Sequence, residues 1–312
     1  MMKKLLVTNF AKIGPLIGLI LIMIILGFMS ENFFTLDNIL NLLRQISVNA
    51  LIAFGMTFVI LTAGIDLSVG SMLALGSALT AGMLTTGMDP LFAVLVGLLI
   101  GLALGAMNGL IITKGKVAPF IATLATMTIF RGATLVYTDG KPVTGLSDSF
   151  TFEMIGRGYV FGIPFPVILM LGVFLILYFV LRKTVFGRQV YAVGGNEEAS
   201  TLSGIKADRV KIWVYALTGM LSVLAGIILT SRLNSAQPTA GSMFELDAIA
   251  AVVIGGTSLM GGRGRIFGTL VGALIIGVID NGLNLLNVSS FYQQIVKGGV
   301  ILLAVLLDRR SK

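Results

Sequence analysis

Apolar residues run through this chain in blocks of close to twenty, cut by short polar or glycine-rich breaks, and they do not alternate with polar positions. A helix needs about 20 mostly apolar residues to cross a bilayer, and the blocks place spans over 13–30, 46–63, 67–86, 90–112, 118–137, 163–181, 212–230, 248–261, 266–286 and 292–307. The pattern predicts an all-α polytopic membrane protein of about ten helices, forming a single domain over residues 1–312. The first block follows a basic start, but from Ile13 to Met29 it exceeds the roughly 7–15 residues of a signal-peptide core. No A-x-A site follows it, so it reads as a span.

The breaks carry their own signals. Segments 31–45, 138–162 and 231–247 are expected outside the cell. In the first, Leu36, Ile39, Leu40 and Leu43 follow Thr35 at helical spacing, which predicts a short capped helix lying along the interface before the second span. The stretch from Asp139 to Pro166, with Gly140, Pro142, Gly145, Gly156, Gly158, Gly162 and Pro164, reads as an irregular loop. Residues 231–242 read the same way, broken at Pro238. The longest polar break is 182–211. There Arg182, Lys183, Arg188, Lys206, Arg209 and Lys211 are set against Glu197, Glu198 and Asp208, as expected of a docking surface for a soluble partner.

Charge then orients the chain. With the N-terminus inside, sixteen Lys and Arg fall in cytoplasmic segments, Lys312 among them. Four, Arg44, Lys141, Arg157 and Arg232, fall outside, so both termini are expected in the cytoplasm. The net charge of +8 follows from that bias and gives no reason to expect nucleic acid. Cys and His are absent, which removes disulfides, thiol chemistry, Cys/His metal clusters and imidazole catalysis. No G-x-x-x-x-G-K-[ST] occurs, so ATP is not bound here through a P-loop.

Many of the 39 glycines, such as Gly97, Gly101 and Gly105, or Gly268 and Gly272, stand at helix-packing spacing. Gly64–Ser71 joins the second span to the third, with Asp66 or Ser68 as the expected cap of the helix that follows, or as a substrate contact. Gly255–Arg265 reads as a broken helix in which Thr257 and Ser258 satisfy freed backbone groups. These four polar residues are the candidates for a translocation path or gate. Residues 49–71 can be laid over 247–269, matching Ala50, Ala53, Leu61, Gly64 and Gly70, which raises an internal repeat. Charges inside spans are costly, and this selects Arg131, Asp280 and Lys297. Asp280 and Lys297 lie at similar depth, about 10 Å from their shared loop, and are expected to pair.

Four ordered strings carry a resemblance: NFFTLDNILNLLRQISVNALIAFGMTFVILTAGIDLSVGS, AVGGNEEASTLSGI, RLNSAQPTAGSMFELDAIAAVVIGGTSLMGGRGRIFGTLVGALI and NGLNLL. Over nearly its whole length the chain resembles the membrane permeases of bacterial ribose ABC importers, whose relatives import other monosaccharides. The resemblance implies a homodimer in the inner membrane, a periplasmic sugar-binding protein, and a cytoplasmic ATPase with tandem nucleotide-binding domains that holds the ATP and Mg. The chain itself is then a transport subunit and not an enzyme, with no cofactor or metal of its own. The matching residues of the loop that couples ATPase movement to the pore are Gly187, Ala192, Gly195, Asn196, Glu197, Ala199, Gly204 and Ile205, and Glu198 is expected to join Glu197 in facing the ATPase. Two departures leave the sugar less specified: Asp280 stands where Asn is expected, and Ser242, Met243 and Phe244 precede Glu245 where a Gly-Tyr pair is usual. The alternative reading is an ion-coupled secondary sugar transporter.

Overall fold

The apolar blocks fold as helices. The computed structural model describes residues 2–146 and 149–310, so Lys312 of the orientation argument lies outside the described residues. In order come α1 (Met2–Met29), α2 (Leu36–Leu61), α3 (Val69–Thr85), α4 (Pro90–Thr113), α5 (Pro119–Thr138) and α6 (Phe150–Arg157). A two-residue antiparallel hairpin, β1 (Tyr159–Val160) and β2 (Ile163–Pro164), leads into α7 (Phe165–Lys183). Then follow α8 (Val185–Gly195), α9 (Glu197–Leu202), α10 (Ala207–Leu233), α11 (Phe244–Ile254), α12 (Ile266–Leu285) and α13 (Ser290–Arg310). Among the described residues, α2, α4, α5, α7, α10 and α12 are long and apolar enough to cross a membrane, and the apolar part of α1 and α3 are shorter. The chain is a mostly helical polytopic membrane protein.

Local chemistry sets the helix ends. Pro90 and Pro119 open α4 and α5 at positions where the missing N–H costs nothing, and Asp89 caps α4 by accepting from the Phe92 N–H at 3.1 Å. Asp139 and Asn234 end α5 and α10 in the left-handed conformation.

The centre is built on α2 and α10. Every residue of α2 from Ala50 to Leu61 is buried. Small residues bring the backbones together: Gly55 lies on Thr218, and Gly101 and Gly105 of α4 lie on Gly219 and on the Tyr215–Ala216 backbone of α10, so a methyl group at any of them would overlap its neighbour. Contacts this close replace the hydrophobic drive that lipid does not supply. Around this core α2 touches α10, α11 and α12, and α10 touches α2, α3 and α4.

The bundle has two dissimilar ends. At one, the C-termini of α2 and α4 and the N-terminus of α10 meet α8, α9 and the 255–265 connection. At the other, α6 packs on the end of α10, where Ser231 Oγ accepts from the Gly156 N–H at 3.0 Å. Asn38 and Asn281 bridge α2 to α12 with reciprocal amide bonds of 3.0 and 2.8 Å.

Several expectations change. The interface helix and second span are one continuous helix, α2, and Thr35 makes no cap bond, its hydroxyl donating to the Asn32 carbonyl at 2.8 Å. The stretch from Asp139 to Pro166 is not wholly irregular, since it holds α6 and the hairpin. Segment 182–211 folds into α8, α9 and the first turn of α10. Residues 234–243 pack against the helices: Arg131 of α5 donates to the Pro238 and Ala240 carbonyls at 2.6 and 2.9 Å. The expected span 248–261 is the 11-residue α11, about 16 Å long at 1.5 Å per residue, and too short to cross.

Candidate functional site

Two breaks enter the bundle from opposite ends and bring helix N-termini face to face. Residues 62–68 enter from the α8–α9 end and lead into α3, and residues 234–243 enter from the hairpin end and lead into α11. They meet where Gly70 abuts Gly241. A Cβ on Gly70 would strike the Gly241 carbonyl and come within 3.0 Å of Glu245 Oε2. Non-helical backbone at this depth needs internal partners. The Ile65 carbonyl accepts from Thr123 and Tyr215 hydroxyls, each at 3.3 Å, while Arg131 serves the second break.

Asp66 and Ser68 hold the first break. The Asp66 carboxylate accepts from the Ser68 N–H at 2.9 Å and from its hydroxyl at 2.7 Å, and Asn108 of α4 donates to Ser68 Oγ at 2.7 Å. Ser68 occupies the N-cap position of α3, but its hydroxyl makes no cap bond and serves Asp66 instead. Both residues are fully buried, and Asp66 Oδ2 has no partner. Thr257 and Ser258 lie in the 255–265 connection, which touches the start of this break at Ala63. Ser258 Oγ accepts from the Met260 N–H at 3.3 Å, while the buried Thr257 Oγ1 is unpartnered and lies against Gly264. Among the described residues no hydrogen bond joins Asp66 and Ser68 to Thr257 and Ser258.

The charged residues of α12 and α13 meet. Lys297 Nζ lies 2.9 Å from Asp280 and 3.0 Å from Asp247, the latter on the short helix α11. This triad lines a cavity of about 230 Å³ near the hairpin end, with Gln45 and Asn49 of α2, Arg232 of α10 and Phe244 of α11 on its other walls. Two carboxylates, one ammonium and one guanidinium leave it neutral overall.

At the opposite end α8 joins the core through side chains, with Val190 and Val193 buried and Phe186 stacked on Phe58 of α2, and at its C-terminal end through close backbone contacts. Gly194 abuts the Leu61 carbonyl, the Gly262 N–H donates to that same carbonyl at 2.9 Å, and Gly262, at φ +68°, lies on Gly195. A Cβ at Gly194 would fall on the Leu61 oxygen, while Gly195 has open space on its own Cβ side. Tyr191 donates to the Gly264 carbonyl at 2.9 Å. Burial pushes its pKa up, opposed in part by the Arg265 charge, so it stays a neutral donor. Gly187 is packed on the end of α7, where Thr184 Oγ1 accepts from the Gly187 N–H at 3.2 Å. Ala192 lies on α8, and the Asn196 side chain caps α9 by accepting from the Ala199 N–H at 2.9 Å. Gly204, at φ +87°, turns the chain so that Ile205 packs on the core before α10 starts. Glu197 is held by Lys211 at 2.5 Å and so does not stand free, whereas Glu198 is exposed and, among the described residues, has no ion-pair partner.

Sequence reasoning missed Asp247, Gly194 and Gly262. Asp247 was visible as a charge beside the α11 apolar run but was counted with an external loop. The Gly194–Gly195 and Gly261–Gly262 pairs were visible as doublets, without any sign that they would touch.

The profile of the family described as "Branched-chain amino acid transport system / permease component" matches residues 38–305. The chain is 65% identical over 300 residues to the ribose import permease protein of Bacillus subtilis (strain 168), covering 96% of this chain and 93% of that one. It is 59% identical over 294 residues to the ribose import permease protein of Haemophilus influenzae, covering 94% and 91%. It is 47% identical over 307 residues to the D-allose transport system permease protein of Escherichia coli (strain K12), covering 96% and 94%. No solved structure matches. The matched residues take in α2 to α12 and most of α13, both breaks and the glycine junction beneath α8, and the chain belongs to this family of transport-system permease components.

Proposed function

We propose that this chain is the permease subunit of an ATP-binding-cassette importer that carries D-ribose across the bacterial inner membrane. The observation that carries this reading is the 65% identity to a ribose import permease along 96% of the chain. The partners are a second copy of the chain, a cytoplasmic ATPase with tandem nucleotide-binding domains that binds ATP and Mg, and a periplasmic sugar-binding protein. The chain crosses the membrane ten times with both termini in the cytoplasm, which places α8 and α9 inside and the hairpin end outside, as the bias of basic residues requires. The spans counted this way include α3 and α11, each completed by its entering break.

The halves repeat in inverted sense. Exchanging α2–α5 for α10–α13 preserves the main neighbours: α10 packs on α3 and α4 as α2 packs on α11 and α12, and α3 packs on α5 as α11 packs on α13. This replaces the register that laid 49–71 over 247–269, which pairs α2 with α11 and joins elements running in the same direction. Inverted repeats give a permease two related arrangements of one packing.

Coupling runs through α8 and α9. ATP changes the permease only through a difference in how its ATPase binds the two states, and Gly187, Ala192, Gly195, Asn196, Glu197, Glu198, Ala199, Gly204 and Ile205 form or position the surface that senses it. Glu198 is the free carboxylate for basic residues of the ATPase, and Glu197 fixes α9 to α10 through Lys211. Displacement of α8 passes at Gly194 to the end of α2 and to the 255–265 connection that holds Thr257 and Ser258. Asp66 and Ser68 hold the bend at which α3 shifts, and the sugar meets the neutral cavity of Asp280, Lys297 and Asp247 on the outer side. The ion-coupled alternative leaves the folded α8–α9 segment without a purpose.

The test is uptake of labelled ribose into proteoliposomes holding this chain and its ATPase, with the binding protein outside. Uptake is expected only with ATP inside and the binding protein present. Uptake that follows an imposed ion gradient without either would overturn the reading.

A further inference from the structure

A cavity of about 850 Å³ lies away from the Asp280–Lys297–Asp247 cavity. It lies at the α8–α9 end, between the last turns of α7, the face of α8 and the start of α12. Its mouth carries four guanidiniums, Arg182, Arg188, Arg263 and Arg265, and no carboxylate lines it. Among the described residues none of the four forms an ion pair with an acidic side chain. Arg182 instead lies over the Tyr178 ring, 5.6 Å from its centroid.

The deeper wall has the opposite character. Phe174, Leu175, Leu181 and Phe267 line it, and Leu175 and Phe267 are 62% and 54% exposed on the flank of the bundle. Cations at one level and apolar side chains along the helix beneath them match the two parts of a phospholipid. Four like charges around one space repel each other unless an anion sits among them. Arginine is also the side chain best shaped to take phosphate oxygens in pairs.

We propose that this cavity binds an anionic phospholipid, its phosphate held by Arg188, Arg263 and Arg265 and its acyl chains lying along α7 and Phe267. Basic cavities between membrane helices at the headgroup level bind such lipids. A segment of a soluble partner fits less well, because Leu175 of the apolar wall stands one turn from exposed Leu171 and Phe179 on α7, a stripe suited to acyl chains. The site has a consequence for transport. Arg263 and Arg265 flank Gly264, whose carbonyl Tyr191 of α8 holds, so a bound lipid stiffens the junction through which α8 reaches α12.

The experiment is native mass spectrometry of the purified permease, alone and with its ATPase, after exchange into phosphatidylglycerol, cardiolipin or phosphatidylcholine. The wild type is expected to retain one of the two anionic lipids and to lose phosphatidylcholine. Arg263→Gln with Arg265→Gln should cut that preference by at least about tenfold, whereas Lys206→Gln with Arg209→Gln, which removes as much charge outside the cavity, should leave it within about twofold. Should the first pair fail to fold, Arg182→Gln with Arg188→Gln makes the same test from α7 and α8. Equal retention of all three lipids, or equal losses in the two double variants, overturns the proposal. So does displacement by millimolar inorganic phosphate, which would mark a free-anion site. Loss of ATPase co-purification with unchanged lipid retention would assign the face to the ATPase and also overturn it.

Discussion

The two ends of the bundle join their elements by opposite means. At the end of α8, Gly194 and Gly262 meet the Leu61 carbonyl of α2 backbone to backbone, with no side chain between them to absorb a displacement. At the hairpin end, Lys297 holds α11 and α12 to α13 through two carboxylates, each able to keep its partner over some tenths of an ångström of movement. The first joint transmits position and tolerates no added atom. The second tolerates movement but not a missing charge. A permease driven from one end and receiving cargo at the other has use for both: a stiff input and a compliant, charge-balanced receiving site.

The sharpest way to break the comparison is at the charged joint. Lys297→Met leaves Asp247 and Asp280 buried near each other without a cation, and should cost about 3–5 kcal/mol. Lys297→Arg keeps the sign and should recover most of that, as read from thermal unfolding in lipid nanodiscs. A cost under 1 kcal/mol for the Met variant would mean that water supports the two carboxylates and that the joint is not held by charge.

The glycine joint should fail next. Gly194→Ala puts a methyl group onto the Leu61 carbonyl, and overpacking of this kind costs about 1–3 kcal/mol. Because the strain falls where α8 meets α2, ATP-driven uptake should fall at least tenfold. Gly195→Ala, one residue on with open space at its own Cβ, should change stability by less than about 0.5 kcal/mol and lower uptake less than Gly194→Ala does. Equal losses at the two positions would show that the contact between α8 and α2 is not what carries the movement.

These joints were unequally legible in the sequence. Membrane crossing, a helical fold and a folded polar segment at 182–211 follow from blocks of apolar residues and the distribution of charge, which are local properties. The pairing of Asp280 with Lys297 was also within reach, because the two flank one short connection. Asp247, fifty residues before Lys297, was not, and neither was the contact of Gly194 with Leu61, since chain distance says nothing about which helices become neighbours. The partners of the two breaks were hidden for a related reason. Residues 62–68 and 234–243 are polar connections in the sequence, and Arg131, Thr123 and Tyr215, all distant in the chain, supply the hydrogen bonds that seat them against the helices.

A smaller effect separates the surface of the coupling segment from its root. Asn196→Ala removes the cap of the six-residue α9, and losing such a cap costs about 1 kcal/mol. The loss should appear as faster amide exchange over 197–202, with the rest of the bundle unchanged and ATPase affinity reduced a few-fold. Glu197→Gln releases Lys211 from a half-exposed ion pair and should cost less than about 1 kcal/mol. Unaltered exchange in both variants would show that α9 is held by packing and not by its polar ends.

The smallest expected change is also the one that says most about the charged joint. Asp280→Asn removes one of two carboxylates that share a single ammonium, and it installs the residue that the resemblance to ribose permeases leads one to expect at this position. Lys297 keeps Asp247 at 3.0 Å, so no buried charge is orphaned, and the stability change should stay within about 1 kcal/mol. The cavity, however, passes from neutral to a net positive charge, since Arg232 and Lys297 then face one carboxylate. A neutral sugar should feel this less than a charged solute would. Ribose uptake should therefore fall no more than about threefold, while Asp247→Asn, which leaves Lys297 tied only to α12 and frees α11, should fall further. If Asp280→Asn destabilised as much as Lys297→Met, the joint would be a chain in which all three charges are required. The compliance ascribed to this end would then be wrong.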